Sequence, residues 1–277
     1  MTSAQPASSD GVVLLGWKTR DAALALLQED CEFDPPLDDV ASERLWARFR
    51  ERVNALRGRA LPAAASLSFS DEERRLVDEF LQEVARHGGV FRDVIKVDPL
   101  FLAAHQLEIS TERSRATAAR LRSPTDWARE CLCPAGSSAC PTIRGVPNSV
   151  DVDLPHGEYA LLFDASLGLV LGEAARCITV TSIGARRVLW SGYHRAYASA
   201  AFRFEGERTI LAAIADDPGQ ASRARTCGLR AVQSDHPPIV ADFFDSDVAL
   251  PVRFKAKRFT MEIRARVVAA HVKSEAE

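Results

Sequence analysis

Long apolar runs are missing. No stretch of the 277 residues approaches the roughly 20 apolar residues that span a bilayer, so a membrane-spanning chain is not expected. A basic n-region is missing too, and Val12-Val13-Leu14-Leu15 is too short for a signal-peptide core. The expectation is a cytoplasmic protein without membrane contact. A large excess of charge of one sign is missing. A net charge of -3 argues against wholesale coating of nucleic acid and leaves room only for local basic patches. Cysteine is sparse as well, at six. Cys31, Cys177 and Cys227 stand alone, while Cys131, Cys133 and Cys140 cluster. Their spacing matches no standard zinc pattern, and a fourth ligand would have to come from a distance, with His156 the candidate. The expectation is no metal site and a loop carrying reduced thiols.

What is present describes a globular chain, with 47% hydrophobic residues. Residues 1–10 are small and polar and read as a frayed tail. A helical run from Asp21 ends at Asp34-Pro35-Pro36. Leu45, Phe49, Val53 and Leu56 then mark one face of a helix that stops near Gly58. Ser70-Asp71-Glu72-Glu73 is a capping-box signature ahead of Leu76, Val77, Phe80, Leu81 and Val84. Gly88-Gly89 is read as its end. Residues 1–90 therefore read as a helical N-terminal unit.

From Val90 the pattern changes. A strand is expected before Pro99. Residues 112–122 read as a helix carrying Arg113, Arg115, Arg120 and Arg122, with Arg129 just beyond. It is either a solvated basic face or a surface turned to a polyanion. Ser123-Pro124-Thr125-Asp126 starts a further helix, with Ser as cap and Pro at the first position. Residues 133–148 read as a loop. Strands follow at 159–164, 167–172 and 177–183, then at 188–190 and 209–215. At the end, residues 252–267 alternate with a change of parity near Lys257-Arg258, which reads as a hairpin.

The stretch that suggests chemistry is Ser191-Gly192-Tyr193-His194-Arg195. A short apolar strand meets a glycine turn, and a helix-forming run follows. A helix start exposes unpaired N–H groups and a partial positive charge, so it attracts anions. His194 and Arg195 beside those donors make a phosphate pocket chemically reasonable. The bland alternative is a helix cap with Tyr193 packed on the core and Arg195 solvated.

Gly192-Tyr193-His194-Arg195-Ala196-Tyr197-Ala198 has the form G-x-x-R-x-x-A and resembles the phosphate-binding motif of the ParB/sulfiredoxin superfamily. The ParB branch reads Gly-Glu-Arg-Arg-x-Arg-Ala, and the sulfiredoxin branch reads Gly-Cys-His-Arg. The strand, Pro99, Leu100 and Gln106 resemble the opening of ParB-like domains. The resemblance implies a nucleotide, ATP or CTP with Mg²⁺, gripped at Ser191, Gly192, Tyr193, His194 and Arg195. It also implies a strand after the motif helix, parallel to the preceding strand and beside it. Tyr193 stands where sulfiredoxin has its reactive cysteine, so thiol chemistry is not implied.

The expectation is then an α+β protein. A helical N-terminal unit (1–90) precedes a mixed-sheet ParB/sulfiredoxin-like domain (91–277) with an insertion around 108–157. The functional expectation is a nucleotide-binding protein, either a phosphotransferase or NTPase or a nucleotide-gated switch. Phosphoryl transfer needs a positioned base, for which Asp164, Glu173, His236 and Asp242 are all open. The alternative is a non-catalytic scaffold whose helical unit or basic C-terminal hairpin binds a protein or nucleic-acid partner. No helix-turn-helix pattern follows the motif, so a nucleic-acid partner is disfavoured.

Overall fold

The computed structural model describes residues 8–58, 63–86, 91, 93–120, 123–132, 142–146, 149–153, 159–164, 168–173, 177–184, 186–202, 208–215, 229–255 and 260–263. It is an α+β protein built on antiparallel and mixed sheets. The chain divides into a larger unit, Ala7–Ala135 with Ala175–Ala256, and a smaller one, Met1–Pro6, Gly136–Ala174 and Lys257–Glu277.

The larger unit opens with β1 (Ser9–Val13), α1 (Arg20–Ala25), β2 (Cys31–Glu32), α2 (Asp39–Ala55) and α3 (Asp71–Arg86). It continues through β3 (Val94–Val97), β4 (Ala103–Ala104), β5 (Glu108–Ser110), α4 (Thr111–Arg120) and α5 (Pro124–Leu132). The smaller unit supplies β6 (Thr142–Val146), β7 (Ser149–Asp153), β8 (Tyr159–Asp164) and β9 (Gly168–Glu173). The larger unit resumes with β10 (Thr179–Ile183), β11 (Arg186–Ser191), α6 (Tyr193–Phe202), β12 (Ile210–Ile214), α7 (Leu229–Gln233) and β13 (Leu250–Phe254). A last strand, β14 (Thr260–Ile263), belongs to the smaller unit.

Two sheets organise the larger unit. The first has the order β2-β13-β1-β5, with every pairing antiparallel. α1 and α2 supply Ala23 and Phe49 to a core shared with Val13 and Val252 of that sheet and with Leu15 just after β1. The second sheet has the order β3-β12-β10-β11-β4. α3 and α5 cover it with Val77, Phe80, Trp127, Ala128 and Leu132, packed on Ile178, Val180, Leu189 and Ile210. In the smaller unit β14, β7 and β6 form one antiparallel sheet, and β8 pairs with β9 as a hairpin.

Local signals in the sequence are met closely. Ser70 Oγ accepts from the Glu73 N–H at 3.2 Å, and the Glu73 carboxylate accepts from the Ser70 N–H at 2.7 Å, a complete capping box. Ser123 Oγ accepts from the Asp126 N–H at 3.1 Å, with Pro124 as the first residue of α5. Gly58 ends the turn after α2 at φ 85°. Gly88-Gly89 lies outside the described residues.

Several longer-range expectations are corrected. Residues 9–13 are not a frayed tail but a strand flanked on both sides, by β13 and by β5. Hence 1–90 is no separate helical unit. α1 and α2 cannot bury their apolar faces on each other alone, and they cover a sheet whose other strands come from beyond residue 100. The inserted segment begins after α5 rather than near 108, and its described residues 142–146 form a strand where a loop was expected. The C-terminal alternation is no hairpin: β13 pairs with β1 and β2, and β14 pairs with β7. Finally, β12 is neither beside β11 nor parallel to it. β10 lies between them, parallel to β12 and antiparallel to β11.

Deleting residues 1–13 removes the partner of two strands at once. The expected outcome is loss of a cooperative thermal transition by circular dichroism, because the removed pairing is comparable to a net stability of about 5–15 kcal/mol. A melt like that of the full chain would contradict the central placement of β1.

Candidate functional site

The turn from β11 into α6 is where the motif falls. Gly192 has φ 82°, a left-handed conformation that side-chain-bearing residues rarely adopt. A Cβ there would lie 2.8 Å from Ile178 Cγ1 and 3.1 Å from Ile178 Cα. Glycine therefore does two jobs: it reverses the backbone and lets it close on β10's approach. Its carbonyl accepts the Arg195 and Ala196 N–H groups at 3.1 and 2.9 Å, which starts the helix.

α6 lies along α4, and the pair runs parallel. His194 feels the charge of Arg113, Tyr197 that of Arg115, and Ala198, Ser199 and Phe202 share a cavity wall with Ala118. The two helix starts thus lie at one end and the two helix ends at the other. Parallel neighbours bring two partial positive charges together.

The five motif side chains are placed as follows. Ser191 Oγ is buried, donates to the Cys177 carbonyl at 2.9 Å and hydrogen-bonds Thr179 Oγ1. It serves the sheet. The Tyr193 hydroxyl donates to the Trp190 carbonyl at 3.1 Å and is hydrogen-bonded to His105 Nδ1 at 3.0 Å. The His105 ring packs on Trp190 at 4.4 Å between centroids, and burial holds its pKa below the ordinary value. Arg195 Nη1 donates to the Glu130 carbonyl at 2.6 Å, tying α6 to α5.

His194 is different. Its Nδ1 is buried and makes no hydrogen bond, although the residue keeps some exposed surface. Its pKa is pushed down to about 3, first by desolvation, then by Arg113, and also by Arg195; only the Ser110 backbone opposes the shift. The imidazole is therefore neutral at pH 7, among two guanidinium charges and two helix starts. The helix that sequence reading left open as either a solvated basic face or a polyanion surface is α4, and its Arg113 belongs to this cluster.

Other candidates fall elsewhere. The Asp242 carboxylate is buried and accepts from the Ile239 N–H at 2.8 Å, so it caps the 3₁₀ turn Val240–Phe244. His236 is buried, and its carbonyl accepts from Trp17 Nε1 at 2.9 Å. The side chains of Asp164 and Glu173, and His156, Cys133, Cys140 and Cys227, lie outside the described residues. Cys131 is buried in the core, its thiol pushed up to about 12 mainly by desolvation. Among the described residues no group of three His, Cys, Asp or Glu side chains could hold a metal ion, and no helix is long and apolar enough to cross a membrane.

Sequence reading missed a cavity of about 260 Å³ at the far end of the α4–α6 pair. On its wall, Lys96 on β3 is buried and bound by both carboxylate oxygens of Glu73, at 2.9 and 3.1 Å. Glu73 was legible as a cap, but nothing local announced that it also meets a lysine 23 residues away. No protein-family model, no curated protein and no solved structure matches this chain.

Two outcomes are expected. Gly192→Ala meets both the left-handed backbone and Ile178, so it should lower stability by about 1–2 kcal/mol or more in urea titration. His194 has its folded pKa below its unfolded value of about 6.5, so its contribution to stability is complete above pH 6.5 and fades as pH falls toward 3. His194→Gln should therefore lose less stability than the wild type between pH 7 and pH 5; an identical loss would contradict the buried neutral imidazole.

Proposed function

We propose that the protein binds a nucleotide, ATP or CTP, by its phosphates at the shared start of α4 and α6. The observation that supports this reading best is the positive field of two guanidinium groups around His194. Arg113 and Arg195 both act on it, and both helix starts lie beside it. Such a field favours an anion with several oxygens, which the N–H groups of a helix start and guanidinium forks recognise together. The resemblance of Gly192–Ala198 to the ParB/sulfiredoxin motif makes a nucleotide the natural carrier of those phosphates. Gly192, His194 and Arg195 are the motif residues assigned to it, and Arg113 joins them. Ser191 and Tyr193 act by holding the turn.

Magnesium belongs to this reading only as the companion of the triphosphate, since the described donor set does not make a metal site. The reading stops at binding. Phosphoryl transfer needs a positioned base, and Asp242 is committed to a backbone cap.

A second reading is a non-catalytic scaffold. It draws support from Arg195 on the Glu130 carbonyl and Tyr193 on His105 and Trp190, contacts that hold helices and sheet together. A partner-binding role for a detached helical unit has lost its basis, because α1 and α2 are part of the main body.

Thermal melts with ATP and CTP, each with and without Mg²⁺, separate the two readings. Ligand at about a hundred times its Kd stabilises by roughly 2.7 kcal/mol, on the order of 5–10 °C for a chain of this size. The shift should shrink in Arg113→Ala, whose side chain is exposed. No shift with any nucleotide leaves the scaffold reading standing, and a full shift in Arg113→Ala moves the ligand away from His194.

A further inference from the structure

The cavity at the far end of the α4–α6 pair has a chemistry of its own, independent of the positive end. Its volume of about 260 Å³ lies just under the ~300 Å³ at which ligand pockets usually begin, so its occupant is compact. Leu76, Ala118, Trp127 and Phe202 give it apolar walls from four different helices. Phe202 stands 42% exposed at this cavity, an apolar side chain that an occupant would cover.

Charge selects the occupant. Among the described residues, the ionisable groups lining the cavity are Glu72, Glu73 and Lys96, two carboxylates against one ammonium, a formal net of -1. Lys96 is already bound by Glu73, while Glu72 is exposed. The final turns of α4 and α6 lie at this end, and their last carbonyls add partial negative charge. The first turns of α3 and α5 also border the cavity through Ser70, Pro124 and Thr125. Their positive ends are answered from within the chain. Glu73 and Ser70 close one capping box, Ser123 caps the other helix, and Asp71, Glu72 and Asp126 occupy the first turns. Trp127 and Phe202 supply aromatic rings, which attract a cation that comes within about 6 Å of a ring face.

We propose that this cavity binds a compact amine, with an aromatic or aliphatic body against Leu76, Trp127 and Phe202 and an ammonium group drawn to Glu72 and the Glu73–Lys96 pair. An anion of the same shape meets two carboxylates and two helix ends and is excluded.

Three probes share one body and differ in head group: 2-phenylethylamine, 2-phenylethanol and 3-phenylpropionate. Their binding to the full chain is followed by ligand-observed NMR and by tryptophan fluorescence at millimolar concentration. The amine should bind tightest and the acid weakest. Glu72→Gln, an exposed change that leaves the core untouched, should weaken the amine about two- to fivefold and leave the alcohol unchanged. Ala118→Phe, checked for native circular dichroism, should abolish binding of amine and alcohol by filling the space. The proposal is overturned if the acid binds as tightly as the amine, if amine affinity survives both variants, or if none of the three binds.

Discussion

Two helices lying side by side in the same direction set the terms for the larger unit. Antiparallel neighbours cancel their dipoles; α4 and α6 add theirs. One end of the pair is left electropositive and the other electronegative. The protein answers the two ends differently. At the positive end it sets two guanidinium groups around an uncharged His194, with Ser110 capping the start of α4 and Glu112 in its first turn. At the negative end it opens a cavity and brings carboxylates of its own, one of them already spent on Lys96. Both functional readings follow from this one polarity, yet they rest on different residues.

The orientation of α6 is in turn fixed by Gly192. Its left-handed backbone and its closeness to Ile178 decide where the helix starts. Tyr193 and Arg195 then lock the start to His105, Trp190 and Glu130. These contacts have two consequences. They give Tyr193 and Arg195 a structural role, and they prearrange the cluster so that little ordering would remain for the proposed anion.

What was legible in the sequence was what lies within one turn of chain. The capping box of Ser70 and Glu73, the Ser123-Pro124 start and the Gly192 bend are each written within four residues, and each was found where it was read. The paired positions of the motif were legible too, but not the uses of their side chains. Whether Arg195 reaches a ligand or the Glu130 carbonyl depends on a helix 65 residues away. Pairing partners were not legible. Alternation in 252–267 shows which residues share a face, not which strand lies alongside, so two strands of different sheets read as one hairpin. The same limit hid β10 between β11 and β12, and it made β1 look like a tail. The cavity was invisible for a similar reason, since its walls come from elements spread over more than a hundred residues.

The pairing of Val13 with Leu250 has a consequence for how the chain is made. During synthesis β5 emerges early enough to protect one side of β1, but the other side waits for β13. At about 5–20 residues per second that wait is roughly ten to fifty seconds. Throughout it the nascent protein carries an open strand edge of the kind that recruits stray segments. Closure of this sheet therefore waits for β13, and that strand acts as the latch on β1.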